Sequence, residues 1–119
     1  MDTIPKESFN ALKHICQTIY DKKGCNILVL DVRGVCTITD YFIIAEGTVA
    51  RHLIALADAV VDAVGVPPIH VEGKRSSDWI VIDYGEYIIH LFTSEERERY
   101  TIERVWSEAL IVDIPISAL

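Results

Sequence analysis

No apolar run in this chain approaches the roughly 18 to 20 residues that cross a bilayer, and the opening MDTIPKESFN lacks the basic-then-apolar order of a secretory signal. The expected location is the cytoplasm. Cysteine is scarce and odd in number: Cys16, Cys25 and Cys36 form no C-x-x-C pair. That argues against a disulfide framework or a zinc clip, and for reduced, mostly buried thiols. Positive charge is short as well. Eleven Lys and Arg stand against 18 Asp and Glu, a net charge of −7, and such a surface repels a phosphate backbone at long range. Lys22-Lys23, Lys74-Arg75 and Arg97/Arg99/Arg104 are scattered among acids, so little direct nucleic-acid contact is expected. An acidic domain docks more naturally on a basic protein. There is no internal repeat and no low-complexity segment.

What is present is a core. Half of the 119 residues are hydrophobic, which suits one domain spanning 1–119. Phe9, Leu12, Ile15 and Ile19 recur at helical spacing, with Pro5 tolerable in the first turn and Gly24 as a stop, predicting an amphipathic helix near 5–23. NILVLDV (Asn26 to Val32) and DYFIIAE (Asp40 to Glu46) read as strands covered on both faces. Thr48 can cap a second helix whose stripe Val49, Leu53, Leu56, Val60, Val64 faces inward. Arg51, Ala55, Asp58 and Asp62 follow the opposite line, and Gly65 and Pro67-Pro68 end it. IHVEG (Ile69 to Gly73) returns as a strand, and strand, helix, strand in that order implies a parallel crossover and an α/β architecture. Thr93 with Glu96 makes a capping box before a C-terminal stripe of Ile102, Val105, Trp106 and Ala109. The tail IVDIPISAL is apolar without a clear period.

SSDWIVIDYGEYIIHLF (Ser76 to Phe92) carries the functional question. With Gly85-Glu86 as a two-residue loop, Tyr84 pairs with Tyr87 and alternation sorts the side chains onto two faces. Ile80, Ile82, Tyr84, Tyr87, Ile89 and Leu91 form an uncharged core face. Trp79, Val81, Asp83, Ile88, His90 and Phe92 form a face mixing large apolar groups with a carboxylate and an imidazole. Aromatic anchors beside a few polar groups suit a protein interface. The alternative is that Trp79 and Phe92 are covered by a terminal helix, as most large apolar residues are.

Catalytic constellations are thin. His14, His52, His70 and His90 lack an H-x-x-H or H-E-x-x-H spacing, so no metal site is expected. EGTVARH (Glu46 to His52) places Gly47-Thr48 at a strand-to-helix turn where backbone N–H groups could receive an anion, which a small nucleotide-binding or nucleotidyl-transferring enzyme would use. Such chemistry also needs paired carboxylates on a neighbouring strand, and no D-x-D or D-x-E stands on one. Nor do the cysteines and histidines make a nucleophilic pair. The pattern favours binding over catalysis, with no cofactor.

The ordered motifs D-V-R-G, I-T-D-Y-F, G-T-x-x-R-H, D-W-x-x-x-D-Y-G, H-x-F and Y-x-I-E-R-x-W run from about Leu30 to Trp106. Together they resemble the ribosomal silencing factor family, also called the iojap family. The resemblance implies a single domain with a mixed five-stranded sheet and flanking helices, of the nucleotidyltransferase-like fold but without catalysis. It further implies binding to the large ribosomal subunit through that subunit's ribosomal protein fourteen, steric exclusion of the small subunit, and lowered translation when nutrients run short. Organellar relatives help to assemble the large subunit. Carried over motif by motif, Trp79 is the central anchor, with Asp83, Tyr84 and His90 beside it and Arg97, Tyr100 and Glu103 extending the surface. Asp31, Arg33, Asp40 and Arg51 are motif residues read as structural turn and salt-bridge groups. A homodimer using the Trp79 face remains an alternative occupant of that surface.

Overall fold

The computed structural model describes residues 3–74, 78–96 and 109–117. The first helix, α1 (Lys6–Asp21), starts directly after Pro5, whose φ of −55° leads into the helix. It ends where Lys23 takes a left-handed φ of +73°. Gly24 then passes so close to the helix that a Cβ would strike the Ile19 side chain, which is why the stop is a glycine. The chain continues as β1 (Cys25–Asp31), β2 (Tyr41–Gly47), α2 (Ala50–Val64), β3 (His70–Glu72), β4 (Trp79–Asp83), β5 (Tyr87–Thr93) and β6 (Leu110–Val112).

The strands make one mixed sheet in the order β3-β4-β5-β2-β1-β6. It has six strands where five were expected. The sixth comes from the apolar tail, which pairs antiparallel to β1 with Val29 opposite Val112 and Asp31 opposite Leu110. Among the described strands, only β2 and β5 pair in parallel; the remaining ladders are antiparallel. The crossover through α2 does return the chain parallel to β2, but β3 lands at the far edge, and β5 and β4 fill the gap. Every residue of β2 is buried, as its unbroken apolar run demands.

α1 and α2 lie on one face. Leu12, Ile15 and Ile19 of α1 and Leu53, Leu56 and Val60 of α2 share a core with Val29, Tyr41, Ile43, Ile80, Ile82, Ile89 and Leu91 of the sheet. The predicted stripe of α2 holds through its middle, while Arg51, Ala55, Asp58 and Asp62 face solvent. Its first member does not: Val49 is extended, with φ −143°, and exposed. Thr48 does not cap the helix with its side chain either. Gly65 closes α2 in a left-handed conformation, φ +81°. Beyond β6, Ile114 and Ile116 pack on the helix-side core, and Gln17 and Ser117 exchange two hydrogen bonds of 2.9 and 2.8 Å. Of the thiols, Cys16 is buried, Cys36 half-buried and Cys25 exposed, so the expectation of mostly buried cysteines fails at β1's first residue. Residues 94–96 are helical; Ile102, Val105 and Trp106 lie outside the described residues. Among the described residues no helix is long and apolar enough to cross a membrane.

Candidate partner-binding face

The side of the sheet away from α1 and α2 is built in rows. Trp79 lies opposite Phe92, which lies opposite Glu46; Val81 opposite His90, then Ile44 and Leu28; Asp83 opposite Ile88, then Phe42 and Leu30. Leu30, Val32, Phe42, Ile44, Ile88 and Phe92 form a second buried cluster, with Trp79, Val81, Cys36 and Ala109 packed against it. The two faces of the hairpin divide as alternation dictates. The second face is larger than the hairpin alone suggests, because Phe42 and Ile44 complete it from β2. Their alternation is visible in DYFIIAE, but only the non-local β2–β5 pairing brings them beside His90.

Trp79 sits half-buried at one end of this face. Its ring stacks on Phe92 with centroids 4.8 Å apart and planes 27° from parallel. Its indole N–H donates to His90 Nδ1 at 3.2 Å. His90 is buried, 8 % exposed, and meets the edge of Phe42 at 5.1 Å. Burial pushes its pKa down to about 4, so the ring is neutral near pH 7. Since Nδ1 accepts from Trp79, the proton resides on Nε2, which is buried with no partner among the described residues. His90 therefore acts by holding the indole in one orientation.

Asp83 shares the face but serves the adjacent turn. Its Oδ1 accepts the Gly85 N–H at 2.8 Å and fastens the loop, where Gly85 has φ +86°. The Tyr84 N–H donates to the Tyr87 carbonyl at 3.0 Å, confirming the two-residue loop. Tyr84 lies on the helix side against Tyr87, ring centroids 5.5 Å apart, with its buried hydroxyl unpartnered among the described residues. The structure thus brings Trp79, Asp83 and His90 to one face and Tyr84 to the other. Arg97, Tyr100 and Glu103 lie outside the described residues.

Of the motif groups expected to be structural, Asp31 and Arg33 pair with each other, whereas Asp40 and Arg51 are exposed. Arg33 holds Asp31 by Nη2 to Oδ2 at 2.7 Å and by both Nε and its backbone N–H to Oδ1 at 3.0 Å, and the side-chain hydrogen bonds from Arg33 lower the Asp31 pKa. Glu46, buried at the end of β2, accepts from Asn26 Nδ2 and Ser94 Oγ. At the Gly47-Thr48 turn the Thr48 N–H donates to His52 Nδ1 at 3.0 Å, and His52 Nε2 donates to the Lys22 carbonyl at 2.8 Å. The imidazole occupies the N–H that an anion would need. Among the described residues no group of three His, Cys, Asp or Glu is placed to hold a metal ion.

The sequence profile described as "Ribosomal silencing factor during starvation" matches residues 5–118. The chain belongs to the ribosomal silencing factor family. It is 36 % identical over 99 residues to the ribosomal silencing factor RsfS of Haemophilus influenzae, a match covering 81 % of this chain and 97 % of that one. Similarity extends to the mouse protein named "Mitochondrial assembly of ribosomal large subunit protein 1", 36 % identical over 88 residues, covering 69 % of this chain and 39 % of that one. A crystal structure of a Chromobacterium violaceum protein superposes with a TM-score of 0.77 at 26 % identity, covering 98 % of this chain and 94 % of the other. In this member of the silencing factor family, the described motif residues Trp79, Asp83 and His90 share one face of the sheet, while Asp31 and Arg33 clasp the end of β1.

Proposed function

We propose that this member of the family acts in the cytoplasm by binding the large ribosomal subunit through ribosomal protein fourteen. Once bound, it excludes the small subunit sterically and represses translation. Assembly of the large subunit is a second use of the same contact, in line with the printed name of the mouse relative. In this reading no bond is made or broken, and no metal or cofactor takes part. The observation that carries it is Trp79: a large aromatic side chain, locked by a stack and a hydrogen bond yet only half-buried. A rigid indole loses little freedom on docking, which is what makes such residues interface anchors. The net charge of −7 supplies attraction toward a basic partner. Among the expected site residues, Asp83 lies two rows further along the face and His90 supports the anchor from below; Arg97, Tyr100 and Glu103 complete the proposed surface, whereas Tyr84, on the helix side of the sheet, is not part of it.

Co-sedimentation with purified large subunits tests this. The wild type is expected to pellet with them, and Trp79→Ala, verified as folded by circular dichroism, to lose about 2 kcal/mol or more of binding. Binding of a folded Trp79→Ala variant at wild-type strength overturns the assignment of the face. Absence of wild-type binding overturns the ribosomal reading.

A further inference from the structure

On the opposite layer of the molecule from Trp79, α2 and β3 flank an open groove of about 420 Å³. Its walls are apolar: Val61 from α2, Pro68 from the connection and Val71 from β3. Along one rim stand Asp58 and Asp62, one helical turn apart on the solvent face of α2. The chain itself shows what this rim accepts. Lys74 places its ammonium 2.7 Å from Asp58 Oδ1, with both side chains well exposed, 45 % and 62 %. A pair so open to water is weak and exchanges readily.

We propose that this groove is a second docking surface, which receives a lysine- or arginine-bearing segment of a basic protein. The aliphatic stem of such a side chain lies along Val61, Pro68 and Val71, and its cation meets Asp62 and competes with Lys74 for Asp58. Charge selects the occupant. In a chain of net charge −7, a groove with two carboxylates on its rim repels acidic or anionic ligands and draws cationic ones. The surface is independent of the Trp79 face, and its test does not involve ribosomes.

The test titrates the full isotope-labelled chain with a short capped peptide of alternating leucine and lysine, read by amide chemical shifts. Saturable shifts are expected at Ala57 to Asp62 and at Val71, with none at Trp79. Asp62→Asn should weaken binding by about two- to fivefold, the range of an exposed ion pair. Lys74→Ala, which frees Asp58, should strengthen it by a comparable factor. The corresponding leucine and glutamate peptide should give no saturable change. Shifts centred on Trp79, equal binding by the glutamate peptide, or an unchanged affinity in Asp62→Asn would each overturn the proposal.

Discussion

The sharpest energetic prediction concerns His90. Burial lowers its pKa from the ordinary 6.5 to about 4, whereas in the unfolded chain it titrates normally. Between those two values the unfolded state binds a proton that the folded state refuses, so stability rises with pH. The stability linked to His90 is fully present above about pH 6.5, declines as the pH falls below that, and is exhausted by about pH 4. At roughly 1.4 kcal/mol per pH unit, the whole loss amounts to about 3 kcal/mol, a large fraction of a small domain's margin. Asp31 acts in the same direction, but because its pKa lies below the ordinary 3.8 its share is lost only in stronger acid. The perturbation is His90→Phe, which keeps an aromatic ring among Trp79, Phe42 and Phe92 while removing the titrating group. Urea unfolding followed by circular dichroism at several pH values from 7.5 to 4.5 should show a steep decline in the wild type and a shallower one in the variant. The wild type and His90→Phe losing stability in parallel over that range would refute the reasoning, as would an imidazole resonance of His90 titrating near 6.5 in the folded protein.

Two further outcomes follow from the backbone and the thiols. Gly73 has φ +91°, and a Cβ there would strike the Trp79 carbonyl, whereas Gly65, with φ +81°, has nothing within 4 Å of its Cβ position. Gly73→Ala should therefore cost about 2 to 5 kcal/mol and Gly65→Ala only about 1 to 2 kcal/mol, a difference that thermal melting would expose; equal losses would mean that the contact at Trp79 is unimportant. A thiol reagent added to the native protein should modify the exposed Cys25 and spare Cys16, which is buried and whose pKa is pushed up to about 12. Rapid native-state labelling of Cys16, found by mass spectrometry, would contradict the burial of α1 on the core.

Much of the fold is legible in local pattern, because helix stripes and strand alternation are short-range signals. The two hairpin faces, the buried run of β2 and the glycine ending of α2 all follow from residue spacing. What local pattern does not carry is pairing across distance. Nothing near DYFIIAE says that its parallel neighbour is YIIHLFT, so Phe42 and Ile44 are missed as members of the Trp79 face. The sixth strand is missed for a related reason: Leu110–Val112 is too short to show alternation, and it is a strand because β1 offers an open edge. Thr48 illustrates a different failure. A threonine before a helix suggests a cap, yet the helix starts one residue later, after Val49, and the Thr48 N–H donates to His52 instead; only the three-dimensional position of the Lys22 carbonyl makes that arrangement worth holding.

The geometry around Trp79 also explains how a central hairpin can present a large aromatic side chain. β4 has neighbours on both sides over Val81 to Asp83, with β5 within and β3 without, but the ladder with β3 stops at Glu72 opposite Val81. There Gly73 turns with a positive φ. The paired sheet thus ends before Trp79 on its outer flank, while the inner flank remains tied, Trp79 opposite Phe92 and the Thr93 N–H donating to the Asp78 carbonyl at 2.9 Å. One side of the residue is fixed by β5 and the other is released from the ladder. A position tied to β5 through its backbone, with its ring fixed by Phe92 and His90, is stiff while only half-buried, and stiffness with partial exposure suits an anchor. The glycine that ends β3 and the histidine that orients the indole are therefore parts of one device, and substitutions at Gly73 and His90 should disturb the environment of Trp79.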